Sequence, residues 1–365
     1  LKHNRQGRRL VLFLSLGVLI LLAGCTGGVP ASSWFGISAN GTTVFLAANS
    51  QVIALNLENG SQLWSFPVEA QKDVGPFYAK PLSLNNTLVV GSYASAGTLY
   101  GLSPSGGAQS WSVALEAPIV AGATPVSGGF VVADDAGAVF FVDSETQAKR
   151  PLVTTRAAVW DAPLVDEAQG RVYVASLDHS VYAVDFASGD VIWTFEAGGA
   201  LIGTPTLGSG VLYFGSLDDT FYAVDASTGQ ELWQFSTDGW VLGSPVVDSG
   251  TVYFGSMAGT VYALSATDGS QSWTFEADGG VRAGIVLEKG TGAGDLLYVG
   301  TRPGTVYALR TGDGTQVWSL PLNGPIYSKP VLHNGLLLVS PFNAKVQLAA
   351  LDPESGAQRW SYPSQ

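Results

Sequence analysis

From about Trp34 onward the chain alternates short apolar runs with tight polar punctuation. One stretch displays the unit. "IGTPTLG" (202–208), "VLYFGS" (211–216), "TFYAVDA" (220–226) and "ELWQFST" (231–237) are each long enough for a single strand. Between them stand Gly208-Ser209-Gly210, Asp218-Asp219 and Ser227-Thr228-Gly229, residue types that favour turns. No long helical periodicity follows the N-terminal segment. The pattern predicts a four-stranded antiparallel unit in an all-β chain.

That unit recurs. "AVDASTGQELW" at 223–233 returns as "AVDFASGDVIW" at 183–193, "ALSATDGSQSW" at 263–273 and "ALDPESGAQRW" at 350–360. Aligning the first residue with the one ten positions later gives Ala54/Trp64, Gly101/Trp111, Phe141/Pro151, Ala183/Trp193, Ala223/Trp233, Ala263/Trp273, Ala308/Trp318 and Ala350/Trp360. The steps are 47, 40, 42, 40, 40, 45 and 42 residues. A period near 40 with four strands per unit predicts an eight-bladed β-propeller of four-stranded antiparallel blades over residues 34–365.

The motif's residue types suit a joint. Gly229 and its counterparts fit a turn needing positive φ, and Asp225 or Thr228 can bond turn backbone. Ala223 leaves room for a bulky group of the neighbouring unit. The Trp offers a flat apolar face with one N–H. Trp64, Trp111, Trp193, Trp233, Trp273, Trp318 and Trp360 are therefore assigned to blade docking. Unit three departs, with Gln147 for the Gly and Pro151 for the Trp, and is expected to be the weakest joint. Closure is expected by docking of blade eight on blade one, with an exchanged strand as the alternative.

The motif A-x-D-x-x-T-G-x-x-x-W resembles the docking motif of the PQQ-like propeller repeats, in which the Trp of one blade locks against its neighbour. Seven of the eight units keep that Trp.

Composition narrows the setting. Only 13% of residues are charged, 46 are Gly, and the formal net charge is −12. Lys2, Arg5, Arg8 and Arg9 precede the apolar run Leu10–Leu22 and then "LAGC" at 22–25. That is the shape of a secretory signal, too short for a usual membrane span. "LAGC" resembles the bacterial lipobox, which implies cleavage before Cys25 and lipidation of its thiol. Cys25 is the one cysteine in the chain, so no disulfide can form within it. The expected division is a lipoprotein signal peptide (1–24), a lipidated Cys and short linker (25–33), and the propeller (34–365). Cleavage would leave 13 Lys+Arg against 29 Asp+Glu, a formal −16. Such a surface repels phosphate backbones, so nucleic acid is not an expected partner. The linker Thr26–Ser33 would reach no more than about 28 Å, holding the ring near a membrane. The expected location is the outer membrane facing the periplasm where a second membrane exists, and otherwise the outer face of the cytoplasmic membrane.

Catalytic constellations are weak. The quinoprotein dehydrogenases share this repeat, and that resemblance implies acidic and amide calcium ligands beside a PQQ cofactor and often adjacent cysteines. No second Cys is present, and no local motif marks a quinone or calcium site. His179 and His333 fall half a ring apart and read as turn or strand residues. Asp134-Asp135, Asp178 and Asp218-Asp219 occupy equivalent turns and read as separate, hydrated turn formers, because calcium needs oxygens converging at about 2.3–2.6 Å. No catalytic, cofactor-binding or metal residue is assigned.

A docking region is suggested instead. Strand alternation places the four-to-one and two-to-three loops on one face. Tyr78, Trp160, Arg282 and Tyr327 share an alignment column there, Trp240 lies in an adjoining loop, and Lys80 and Lys329 share another column. Tyr, Trp and Arg dominate interface energetics. These five residues are the candidate partner-binding set, with plugging of the channel mouth as the alternative role. The long connection 67–81 and "SYASAG" (92–97) lie on the same face, while "EKGTGAGD" (288–295) reads as a flexible excursion on the other. Architecture, repeat and lipobox together resemble the BamB family of outer-membrane protein assembly lipoproteins. That resemblance implies a non-enzymatic scaffold contacting envelope proteins of β-barrel assembly. A quinone-dependent dehydrogenase or small-ligand binder is the alternative.

Overall fold

A computed structural model describes residues 35–71, 73–342 and 345–363. Cys25, the leader and the linker lie outside the described residues. From residue 35 the chain folds as eight four-stranded antiparallel sheets, each built from four strands consecutive in sequence. The fold class is therefore all-β, an eight-bladed propeller.

Blade 5 shows the construction. Its strands are Thr206–Gly208, Val211–Gly215, Thr220–Asp225 and Glu231–Ser236. The second and third strands are almost wholly buried, because neighbouring blades cover both of their faces. The fourth strand mixes exposed residues with half-buried ones and the buried Trp233, as an outer edge that docks on a neighbour does. The short first strand is half-buried along its length and lines the axis.

The ring closes without exchange of a strand. Blade 1 (Gly36–Asn40, Thr43–Ala48, Gln51–Asn56 and Gln62–Phe66) and blade 8 (Val331–His333, Leu336–Val339, Leu348–Leu351 and Gln358–Tyr362) each supply their own four strands. One apolar cluster unites Ile37, Val44, Leu46 and Leu55 with Leu338, Leu348 and Trp360. Polar contacts add register: His333 Nε2 and Asn334 Nδ2 meet the Gly41 carbonyl at 2.9 and 3.0 Å, and the Tyr362 hydroxyl donates to Gln62 Oε1 at 2.6 Å.

The 288–295 segment is no loose excursion. It lengthens the first two strands of blade 7 to Val286–Thr291 and Gly294–Gly300. Lys289 pairs with Asp248 of blade 6 at 2.5 Å, and the Gly292 N–H donates to Glu354 of blade 8 at 3.0 Å. Its polar residues have partners on both neighbouring blades, so the hairpin is tied down at its tip.

Candidate functional site

The repeated motif forms the joints between blades. Trp233 of blade 5 donates its indole N–H to the Ala266 carbonyl of blade 6 at 3.2 Å, and its ring lies over Gly269. A Cβ on Gly269 would stand 2.6 Å from that ring, and φ there is +72°, so space and backbone both require glycine. The arrangement recurs for Trp64 on Pro104, Trp193 on Ala226, Trp273 on Thr311, Trp318 on Pro353 and Trp360 on Leu57. In blades 4 to 7 a second-strand Tyr reinforces it. Tyr173, Tyr213, Tyr253 and Tyr298 donate to the same carbonyls at 3.1, 2.9, 3.4 and 3.1 Å, so each oxygen takes at least two donors, and that of Ala226 a third from Arg171 at 2.8 Å. Asp225 holds the turn by accepting from the N–H groups of Ser227 and Thr228 at 2.9 and 2.8 Å. The motif Ala proves to make room for its own blade's Trp: Ala223 pairs directly with Trp233 across the third and fourth strands.

Blade 3 corrects the alignment of Phe141 with Pro151. In the other blades a bulge sits one residue before the Trp, which puts that Trp opposite the motif's first residue. In blade 3 the bulge falls later, at Leu152, so Arg150 rather than Pro151 pairs with Phe141. Arg150 then does the work of an indole. It donates to the Phe186 and Ala187 carbonyls of blade 4 at 2.8 and 3.2 Å and stacks over the Phe141 and Phe186 rings at 5.4 and 5.3 Å. Phe186 holds the position of Ala226 in blade 5, so this joint keeps the acceptor and changes the donor. The joint is rebuilt, not left open. At the joint of blades 2 and 3, Trp111 packs against the apolar cluster that holds Phe130, Val132 and Val142 of blade 3, and within its own blade it lies against Gly101, where a Cβ would approach its ring to 2.0 Å. Gln147 adopts φ +59° in the turn glycine's place and donates to the Ser144 carbonyl itself.

Four of the five candidate docking residues converge, but on the axis. Tyr78, Trp160, Arg282 and Tyr327 line one cavity of about 730 Å³ that touches all eight blades. Tyr78 is only 4% exposed, so it is a wall residue and offers no outer surface. Burial raises its hydroxyl pKa, with Tyr93 adding to the effect. Trp240 does not line the cavity; it is 37% exposed on a rim loop. The long loops brace this wall. Tyr93 packs against Tyr78 at 5.5 Å, and Asp135 accepts from both the Tyr93 hydroxyl (3.3 Å) and the Trp160 indole N–H (2.9 Å). One carboxylate thus ties blades 2, 3 and 4.

The acidic turns are less hydrated than their sequence implies. Asp178 and Asp218 each accept a hydrogen bond from a third-strand hydroxyl, Tyr182 at 2.6 Å and Tyr222 at 2.7 Å. Asp134 is fully buried; burial raises its pKa against two backbone N–H donors. Among the described residues no three His, Cys, Asp or Glu side chains are grouped to hold a metal. His179 sits in a turn at φ +74°, and His333 ends the first strand of blade 8.

The cavity's chemistry is cationic. Lys80, Arg282 and Lys329 line it with a single carboxylate, Asp161. Arg282 stacks on Tyr327 at 4.8 Å, and burial lowers its pKa. Burial also lowers that of Lys329; Asp161 opposes the shift and Lys80 adds to it. Lys329 is enclosed by protein, yet its side chain is reached by solvent within the cavity. Asp161, which the sequence did not single out, accepts from the Ala162 N–H at 2.8 Å, the Thr204 N–H at 3.0 Å and the Ser244 hydroxyl at 3.1 Å. It therefore links blades 4, 5 and 6. A calcium-held quinone needs several side-chain oxygens free to converge. This lining has no Asn, Gln or Glu, and its one carboxylate already takes three donors. The residues do not fit that group.

Fold and site define a class: closed propellers joined by a repeated Trp turn around an axial cavity. The chain belongs to the family described as outer membrane protein assembly factor BamB, whose model matches residues 95–201, 178–288 and 259–365. No curated protein matches it. Among solved structures it is similar to BamB from Moraxella catarrhalis, at 22% identity and TM-score 0.66, covering 84% of this chain and 90% of that one. A computationally designed protein, Ika8, is similar at 14% identity and TM-score 0.72, covering 87% and 96%. The quinohemoprotein alcohol dehydrogenase from Comamonas testosteroni follows at 12% identity and TM-score 0.66, covering 88% and 73%. These structural likenesses concern the fold alone.

Proposed function

We propose that this chain is an exported, lipid-anchored, non-enzymatic scaffold that binds envelope proteins and assists assembly of β-barrel proteins in an outer membrane. The observation that carries this reading is the match to the BamB family model, which runs through residues 95–365. The sequence "LAGC" with its single cysteine supports anchoring at Cys25. A rigid ring with a Trp on its rim loop suits contact with protein partners. A covalently attached lipid, with a linker of eight residues, would hold that rim near the membrane.

The test is crosslinking and capture of the tagged full-length chain from membranes of its own source. Enrichment of barrel-assembly proteins is expected, along with release of a Cys25→Ser variant from the membrane fraction. Capture without any membrane or barrel-assembly protein would defeat the reading. The fold shared with a quinohemoprotein alcohol dehydrogenase favours a second reading, quinone-dependent oxidation. Alcohol oxidation with an artificial acceptor, after incubation with the quinone and calcium, would support it; the cavity's donor set speaks against it.

A further inference from the structure

We propose that the axial cavity is a metal-free binding site for a small organic anion, a carboxylate or phosphate ester, held between Lys80 and Lys329. The proposal goes beyond the scaffold reading and stands independently of it. Its first ground is a reversal of charge. The chain carries a formal −12, yet its axial cavity gathers Lys80, Arg282 and Lys329 against one carboxylate. Acidic residues outnumber basic ones 29 to 17 along the chain, so three cations against one acid run counter to the composition.

The second ground is that the two lysines, unlike Arg282 with its stack on Tyr327, make no bond that holds the ring together. Among the described residues, neither lysine ammonium makes a hydrogen bond or ion pair; both side chains line the cavity and stay open to its solvent. Asp161 is committed to the Ala162 and Thr204 N–H groups and the Ser244 hydroxyl, and feels Lys329 only through the field. Lys80 and Lys329 come from blades 2 and 8, on either side of blade 1, and repel each other. Holding two like charges near each other without a counter-ion costs stability, the more so with one of them largely surrounded by protein. An anion between them would remove that cost.

The third ground is shape. A cavity of about 730 Å³ falls within the range of small-molecule sites, roughly 300–1,000 Å³. Its remaining wall is largely apolar, with Ile202, Leu242, Trp160 and Tyr327. Glycines keep the lysines' surroundings open: a Cβ on Gly284 would touch Lys329 Cδ at 3.0 Å, and one on Gly122 would touch Lys80 Cβ at 3.4 Å. Polar anchors with apolar flanks suit an anionic group on a carbon skeleton better than a bare inorganic ion.

Titration calorimetry on the full-length protein in detergent, at low ionic strength, tests this with succinate, citrate and phenyl phosphate, and with uncharged succinamide as control. Saturable binding of at least one anion, one per chain and weakened by salt, is expected, with no response to succinamide. The Lys80→Met/Lys329→Met variant should melt at or above the wild-type temperature without ligand and lose at least tenfold in affinity. Should that variant fail to fold, the single Lys80→Gln and Lys329→Gln variants should each lose several-fold. Unchanged affinity in the variants, no saturable binding of any anion, or binding that requires calcium would each overturn the proposal.

Discussion

The joint between blades 5 and 6 and the joint between blades 3 and 4 press similar surfaces together by different chemistry. In the first, a Trp and a Tyr converge on one carbonyl and the indole covers a turn glycine. In the second, an Arg fork reaches two carbonyls while its guanidinium lies over two Phe rings that meet each other edge-on. The indole joint draws on buried apolar area. The arginine joint draws on directed hydrogen bonds at a partly wetted edge. The two teach that a propeller interface demands an acceptor-matched donor and a flat cover for the turn, and that an indole is one way to supply both. Leu152, whose backbone faces Gly189 and whose side chain enters the shared core, supplies the cover where no indole stands.

The largest break comes from removing the indole. Trp233→Ala should cost about 3–5 kcal/mol, as for other buried aromatics, read from urea unfolding. It strips the cover from Gly269 and leaves the Ala266 carbonyl to Tyr213 alone. Arg150→Ala should cost less, about 1–3 kcal/mol from two hydrogen bonds and the stacking. Arg150→Lys should recover little of it, since an ammonium has no planar fork. A loss at Arg150 equal to that at Trp233 would mean the two joints are energetically alike. Tyr213→Phe sharpens the comparison further, with an expected loss near 1 kcal/mol. Blade 1 already carries Phe45 against Trp64 without that hydroxyl, so the same unfolding measurement calibrates its joint.

The smallest effect lies in acid. Hydrogen bonds from the Ser355 hydroxyl and N–H, with Arg359 beside them, lower the Asp352 pKa to about 2. Turn hydroxyls and N–H groups likewise lower Asp143, Asp185 and Asp225. A folded value below the unfolded one contributes stability that is complete above about pH 4. For Asp352 it is lost as pH falls from there through about 2. Asp352→Asn should therefore flatten the fall in melting temperature between these pH values and leave neutral stability only slightly reduced.

Much of this was readable from residues alone, and the parts that were not share a cause. The period, the four strands and the turn glycines are local, so eight blades follow from spacing. The column Tyr78, Trp160, Arg282 and Tyr327 was visible too, but its direction was not. Whether a residue before the first strand faces the rim or the axis depends on how the blades tilt around the cavity. Asp161 passed unnoticed because an isolated Asp beside a Trp has no spacing to mark it; its three donors come from three blades. Arg150 was hidden by a slip of the bulge, a shift in pairing that leaves no trace in residue order.

The sequence by itself determined the eight-unit all-β plan and the turn-and-indole joint, because turn chemistry and strand length act within a few neighbouring residues. Only the tertiary structure decided which side chain meets which carbonyl in the irregular joint of blades 3 and 4, how the hairpin of blade 7 is pinned, and that three cations share one axial cavity. Those outcomes depend on closing the ring, which brings together residues hundreds of positions apart and surrounds them with low-dielectric protein.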